Sequence, residues 1–319
     1  MPNPRLGYAL TAISAACSAL NGSLARYLLD DGMSAVRLSQ LRSEVAFALL
    51  LGGLALCSPR RLRIARADVP KLAWLGIAGI ALVHASYFAA IARIDIGVAL
   101  VIQYLAPALL LIWLRIVHKR HAPLSLWAAV ALSLAGCALV VDAPAGATGL
   151  NAVGVLAALA GAVTLVIYLV SSERAGQRYD AFTILVWGFG FATLFWLVAA
   201  PPWSVPWELL GSARNVGLAL GVAVIGTLIP FLLIVTALRH LPASRVAVVA
   251  MLEPVLASVI AWGVHDQALT ATQISGGVVV LAAIAWVQTH RPAPAESASS
   301  LDGWTSSSPE GTDRSPVAS

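Results

Sequence analysis

Charge is scarce in this sequence. Only 11% of its 319 residues are Asp, Glu, Lys or Arg and 59% are hydrophobic, where a soluble domain carries roughly 25% charged residues. A chain so poor in charge cannot cover a water-facing surface, which excludes an ordinary soluble domain and points to a bilayer. Cysteine is scarce too. Cys17, Cys57 and Cys137 lack metal-ligand spacing and fall in or at the ends of apolar runs, so they read as small packing residues. His-Glu-x-x-His, Gly-x-Ser-x-Gly and Gly-Lys-Ser/Thr sequences are missing as well, leaving no visible machinery for peptide, ester or ATP hydrolysis. The reading is a non-enzyme with no cofactor and no metal.

What the chain does have is apolar runs of about 20 residues, each long enough to cross the hydrocarbon core as a helix. Ten are read, at residues 6–29, 34–57, 71–91, 96–117, 125–141, 150–171, 181–200, 214–238, 243–263 and 270–289. The loops are too short to house a soluble catalytic domain. Net charge is +5, and with a cytoplasmic N-terminus 15 of the 20 Lys and Arg residues, Arg245 among them, fall in cytoplasmic regions, as orientation by short loops requires. Both termini are therefore expected on the cytoplasmic side of an inner membrane, and no nucleic-acid partner is needed to explain the basic balance. The run His118-Lys119-Arg120-His121 reads as one of these basic loops. Residues 290–319, rich in Pro, Ser, Ala and Gly, read as a disordered cytoplasmic tail.

Sliding the sequence against itself by 147 residues brings Gly7 onto Gly154, Gly79 onto Gly226, Pro107 onto Pro254 and His118 onto His265 without a gap. The chain is a duplicated five-helix unit, residues 6–141 and 150–289. An odd number of spans per copy makes the two copies enter the membrane from opposite sides. The predicted fold is an all-α membrane protein of ten transmembrane helices in two inverted repeats, a pairing that suits alternating access.

One span is costly. Glu253 sits at the centre of the run 243–263, where a carboxylate costs about 2.5–3.5 kcal/mol on insertion scales, and Pro254 follows it without a backbone N–H. Pro107 occupies the same place in the first copy, after Ala106 rather than a glutamate. Each proline frees a carbonyl four residues before it, that of Gln103 or Ala250. These either bind substrate polar groups or mark hinges where the helices bend.

The residues also resemble a family, the drug/metabolite transporter superfamily and within it the ten-helix EamA type. The likeness runs from about Gly7 to Gln288. It is most specific in ALRHLPASRVAVVAMLEPVLASVIAW (237–262) and TATQISGGVVVLAAIAWV (270–287), which are similar to the family's last two helices. Leu41-Arg42 and Gly22-Ser23 resemble features of its second and first helices. The resemblance implies export or exchange of small metabolites, often amino acids, by alternating access. With few charges in the spans, the expected substrate is neutral or zwitterionic. The competing expectation is a non-transporting intramembrane scaffold or enzyme. The residues do not set the oligomeric state.

Candidate substrate-binding residues follow from helical spacing. Thr11, Ser14, Ser18 and Asn21 share a face of the first helix, either lining a cavity or packing helices together. Asn21 is singled out because its counterpart, Tyr168, is also polar and near midplane. His84, Tyr87 and Phe88 share a face of the third helix, and Gln103 precedes the fourth-helix proline. Arg42 and Glu44 lie two residues apart, about 200° around the axis, so at most one faces the cavity squarely. Arg42 either holds a substrate carboxylate or pairs with Glu253, while Glu44 lies with Arg37 and Gln40. Glu253 is then either a charge partner or a group that exchanges protons, the candidate coupling ion, during the cycle.

Overall fold

The computed structural model describes residues 2–94, 96–117, 119, 122–141, 151–200, 207–265 and 270–289. The proposed tail at 290–319, His118, Arg120 and His121 lie outside the described residues. Among those described, ten long helical segments follow one another: α1 (Pro4–Asp30), α2 (Ala35–Cys57), α3 (Arg66–Ile91), α4 in two pieces (α4a, Ile96–Gln103; α4b, Ala106–Val117), α5 (Leu124–Val140), α6 (Ala152–Ala175), α7 (Ala181–Ala199), α8 (Ala213–Ala237), α9 in two pieces (α9a, Ala243–Ala250; α9b, Glu253–His265) and α10 (Ala271–Thr289). Eight are long and apolar enough to cross a membrane; α5, with 17 residues, is shorter, and α1 is long but more polar.

Local chemistry sets the helix starts. Asn3 accepts from Leu6 N at the start of α1, Ser34 from Arg37 N at α2, Asn151 from Gly154 N at α6 and Asp180 from Phe182 and Thr183 N at α7, each satisfying N–H groups that the first turn leaves unpaired. The interior breaks follow from proline. Tyr104–Leu105 and Met251–Leu252, 147 residues apart, interrupt α4 and α9, and Pro107 and Pro254 then fall at the second position of the new helical piece. In that first turn a missing N–H costs nothing. The Cys137 thiol packs into the second break, 3.7 Å from the Met251 carbonyl.

The packing repeats the 147-residue offset with the partners exchanged. Gly7 of α1 lies against Leu241, where a Cβ would come within 2.6 Å of Leu241 Cγ. Gly154 of α6 lies against Ile94, where a Cβ would come within 2.7 Å of Ile94 Cγ2. Further along, Gly226 of α8 takes Asn21 of α1 against its backbone, while Gly79 of α3 takes Tyr168 of α6. As residue numbers rise in one helix they fall in its neighbour, so α1 packs antiparallel to α8 and α3 antiparallel to α6. Both glycines sit in π-helical stretches, Leu75–Ala81 and Val224–Leu228. The widened turn and the absent side chain together let two helices approach closely.

Gly79→Ala puts a methyl 2.9 Å from Tyr168 Cα, and Gly226→Ala puts one 2.7 Å from Asn21 Cβ. Neither neighbour is the far end of a flexible chain. Each substitution is expected to destabilise the protein by about 1–3 kcal/mol as an overpacked contact, measured as earlier thermal unfolding in detergent. Gly52→Ala, which meets nothing within 4 Å, is the control expected to unfold at the wild-type temperature.

Polar groups near the helix ends tie neighbouring segments together. Asp68, fully buried, receives Tyr179 Oη (2.7 Å) and Lys71 Nζ (3.1 Å) and pairs with Arg178 (2.8 Å). In the other copy Asp31, the counterpart of Arg178, pairs with Arg214 (2.8 Å), one residue before the counterpart of Asp68. Arg245, counted in the sequence as a loop cation, is instead buried. It lies in the first turn of α9a, where its Nη1 donates to Tyr8 Oη and to the Val287 carbonyl, both at 2.8 Å. Arg174 lies in the last turn of α6, which continues to Ala175 rather than ending near residue 171.

Candidate functional site

The two copies meet around His84 and Phe231, which occupy equivalent positions 147 residues apart and stack at 6.1 Å with their planes 26° apart. An axis relating the copies must pass close to this pair. Tyr168 and Phe189 also pack on Phe231, with ring centroids 5.1 and 5.4 Å away. Their equivalents in the first copy are Asn21 and Arg42. At three matched positions, then, the first copy supplies Asn21, Arg42 and His84, and the second supplies Tyr168, Phe189 and Phe231. The region has one polar wall and one aromatic wall.

Arg42 is fixed by α8. Its Nε donates to Thr227 Oγ1 (2.7 Å) and one terminal nitrogen donates to the Gly226 carbonyl (2.9 Å), while Thr227 Oγ1 donates to the Val222 carbonyl (2.9 Å). These acceptors belong to or adjoin the π-helical turn Val224–Leu228, where displaced backbone bonding leaves carbonyls for side chains. His84 uses the matching turn in α3: its Nδ1 lies 2.8 Å from the Ile80 carbonyl. A carbonyl only accepts, so the proton sits on Nδ1 and a neutral ring keeps Nε2 as an acceptor.

Of the two roles the sequence leaves open for Arg42, holding a substrate carboxylate or pairing with Glu253, the direct ion pair is not formed in this arrangement. Among the described residues, no hydrogen bond or ion pair holds the Glu253 carboxylate, and the other terminal nitrogen of Arg42 has no protein partner. The two charges nonetheless lie within electrostatic reach of each other, and Glu253 of Tyr87, Tyr104 and Cys137. Asn21, Arg42, His84, Tyr87, Gln103 and Glu253 are all only half-buried. Asn21 Oδ1 and Tyr168 Oη are buried without a hydrogen-bond partner, an unusual state for buried polar atoms.

The remaining candidates separate. Tyr87 packs edge-on against Phe88 (5.5 Å). Gln103 ends α4a beside Gly161 of α6, with Ser86 at the same contact. Glu44 accepts from Gln40 (2.8 Å), which in turn accepts from Arg37 (2.9 Å), so it belongs to a polar string along α2 rather than to the Arg42 cluster. Thr11 and Ser14 donate to the Gly7 and Pro230 carbonyls and serve packing. Sequence reasoning missed Thr227, Gly226, Phe189 and Phe231. Repeat alignment alone carries a signal for two of them, since Phe189 and Phe231 stand opposite Arg42 and His84 at the 147-residue offset.

Long apolar helices with a half-buried polar centre, built twice over, define a multi-pass membrane protein of two-repeat architecture. The EamA-like transporter family matches residues 5–142 and again residues 152–289. The chain belongs to that family. It is 26% identical over 204 residues to an uncharacterised transporter of Archaeoglobus fulgidus, covering 63% of this chain and 71% of that one. It is 24% identical over 241 residues to the threonine/homoserine exporter RhtA of Escherichia coli K12, covering 75% and 78%. A crystal structure superposes with a TM-score of 0.72 at 19% identity, covering 89% of this chain and 95% of the other, which shows a shared fold.

Proposed function

We propose that this transporter has ten transmembrane helices in two inverted repeats, residues 6–141 and 150–289, and moves amino acids or related zwitterions out of the cell by alternating access, with both termini in the cytoplasm and the inner membrane as its site. Antiparallel packing supports the inversion. If successive spans alternate in direction, α1 and α3 run the same way, and α6, packed antiparallel to α3, runs opposite to its own counterpart α1. The observation that carries the substrate class is the pair of opposite charges, Arg42 and Glu253, within electrostatic reach of each other. One Arg42 nitrogen and the whole Glu253 carboxylate lack a protein partner, and a zwitterion would fill both. Its carboxylate takes Arg42, its ammonium takes Glu253, and its side chain lies against the aromatic wall. Threonine and homoserine, the substrates in the name of RhtA, fit that description.

In the cycle, Pro107 and Pro254 act as hinges, letting α4b and α9b tilt about the breaks at Tyr104–Leu105 and Met251–Leu252. Glu253 exchanges the substrate ammonium for a proton, which couples export to proton entry. Uptake of labelled threonine, homoserine and a wider amino-acid panel into proteoliposomes tests the reading, with protein inserted in both orientations. Saturable flux of at least one zwitterion is expected. Protein-dependent flux of no amino acid at all would overturn it.

A further inference from the structure

A groove of about 520 Å³ runs between α3, α4b and α6 on the outside of the bundle, away from the His84–Phe231 region, lined by Trp74, Trp113, Ile116, Val166 and Val170 and ending at Arg174. Its volume suits a single bound ligand. Along α6 the lining extends from Val163 to Arg174. Those eleven steps of roughly 1.5 Å make about 16 Å, close to one leaflet of a hydrocarbon core about 30 Å thick. One end is built differently from the rest. The Arg174 guanidinium lies 5.4 Å from the Trp113 ring centroid. Trp74 belongs to this end as well, because α3 runs antiparallel to α6 with Gly79 level with Tyr168. Tryptophans beside an arginine at the end of an apolar slot mark the level of lipid headgroups.

We propose that this groove is a binding site for an anionic phospholipid, one acyl chain lying along α4b and α6 and the phosphate at Arg174. Charge complementarity selects the occupant. The apolar length accepts any acyl chain, but the Arg174 guanidinium at the rim favours a headgroup with net negative charge over a zwitterionic one, as basic pockets between membrane helices do. The site is separate from the transport centre, so its occupancy supports the packing of α4b on α6 rather than recognising cargo.

Native mass spectrometry of the detergent-purified full chain tests this, with phosphatidylglycerol and phosphatidylcholine of identical acyl chains titrated in turn. Wild-type protein is expected to retain one phosphatidylglycerol about fivefold more tightly than phosphatidylcholine. Arg174→Gln is expected to remove that preference, Arg174→Lys to keep most of it, and Ile167→Trp, which fills the groove, to remove the tightly held lipid of either kind. Equal retention of the two lipids by the wild type overturns the proposal, as does an unchanged preference in Arg174→Gln. A wild-type chain that holds no lipid there, because its own residues 290–319 occupy the slot, or a dimer that dissociates on Ile167→Trp, also overturns it. Should Arg174→Gln fail to fold, the lysine and tryptophan variants decide the matter alone.

Discussion

Glu253→Gln is expected to accumulate as folded protein at the wild-type level and to lose roughly 10- to 150-fold of its transport rate, the factor for losing a charge-assisted hydrogen bond worth about 1.5–3 kcal/mol. The two halves of this expectation have different origins. Folding is spared because no described group bonds or pairs with the carboxylate, and because a neutral amide of the same shape avoids the insertion cost of about 2.5–3.5 kcal/mol attached to an acid at midspan. The thermal midpoint in detergent should therefore stay level or rise. Transport is lost because the amide offers no negative charge to a substrate ammonium and cannot carry a proton. The wild-type rate should vary with pH in liposomes and the residual rate of the variant should not. A variant that fails to fold would make Glu253 a structural residue, and one that transports normally would remove it from the site.

Arg42→Lys is the second large effect, and it should fall on both stability and function. The guanidinium contacts α8 twice, at Thr227 Oγ1 and the Gly226 carbonyl, and still keeps one nitrogen for a ligand. A lysine ammonium is a single point charge on a flexible stem and cannot hold that planar fork. One buried acceptor on α8 is left unsatisfied, at a cost of about 1–3 kcal/mol, which a lower unfolding temperature would register. The retained positive charge still attracts a substrate carboxylate but no longer holds it in place, so the apparent affinity should weaken about tenfold or more. Concentration-dependent uptake by proteoliposomes measures this. A variant with unchanged half-saturation and unchanged stability would show that Arg42 neither braces α8 nor meets substrate.

The parts of this molecule visible in its sequence are those fixed by chain-local physics. Apolar run length located the helical segments, and the ring of Pro254 marked the break in α9 because proline cannot continue a helical hydrogen-bond ladder. The 147-residue offset also survived into the packing, where Gly7 and Gly154, and Gly79 and Gly226, occupy matching contacts. What sequence spacing could not supply was partner choice across the bundle. Arg42 reaches an oxygen 185 positions away on Thr227, and nothing local distinguishes that acceptor from Glu253. The π-helical turns that present those acceptors were equally hidden, since widening a turn around a small residue reflects tertiary packing. Arg245 shows the opposite error. Read as a loop cation because it lies near a helix start, it is buried because α1 and α10 offer it a hydroxyl and a carbonyl.

The asymmetry between the copies bears on how such a protein works. Two halves of the same fold can exchange conformations, yet the polar residues Asn21, Arg42 and His84 all come from one copy and the aromatic wall from the other. Under the proposed alternating access, a substrate bound between them would keep one orientation relative to each copy through the cycle, with only the access path changing.

Trans-stimulated exchange tests that account most directly. Proteoliposomes are loaded with saturating unlabelled threonine or homoserine and diluted into a trace of the same compound labelled. A single site presented alternately to the two sides should carry label inward against its gradient, giving a transient accumulation several times the external concentration that Glu253→Gln greatly slows. Label that rises monotonically to equilibrium without overshoot, at a rate indifferent to internal substrate, would contradict alternating access through this site.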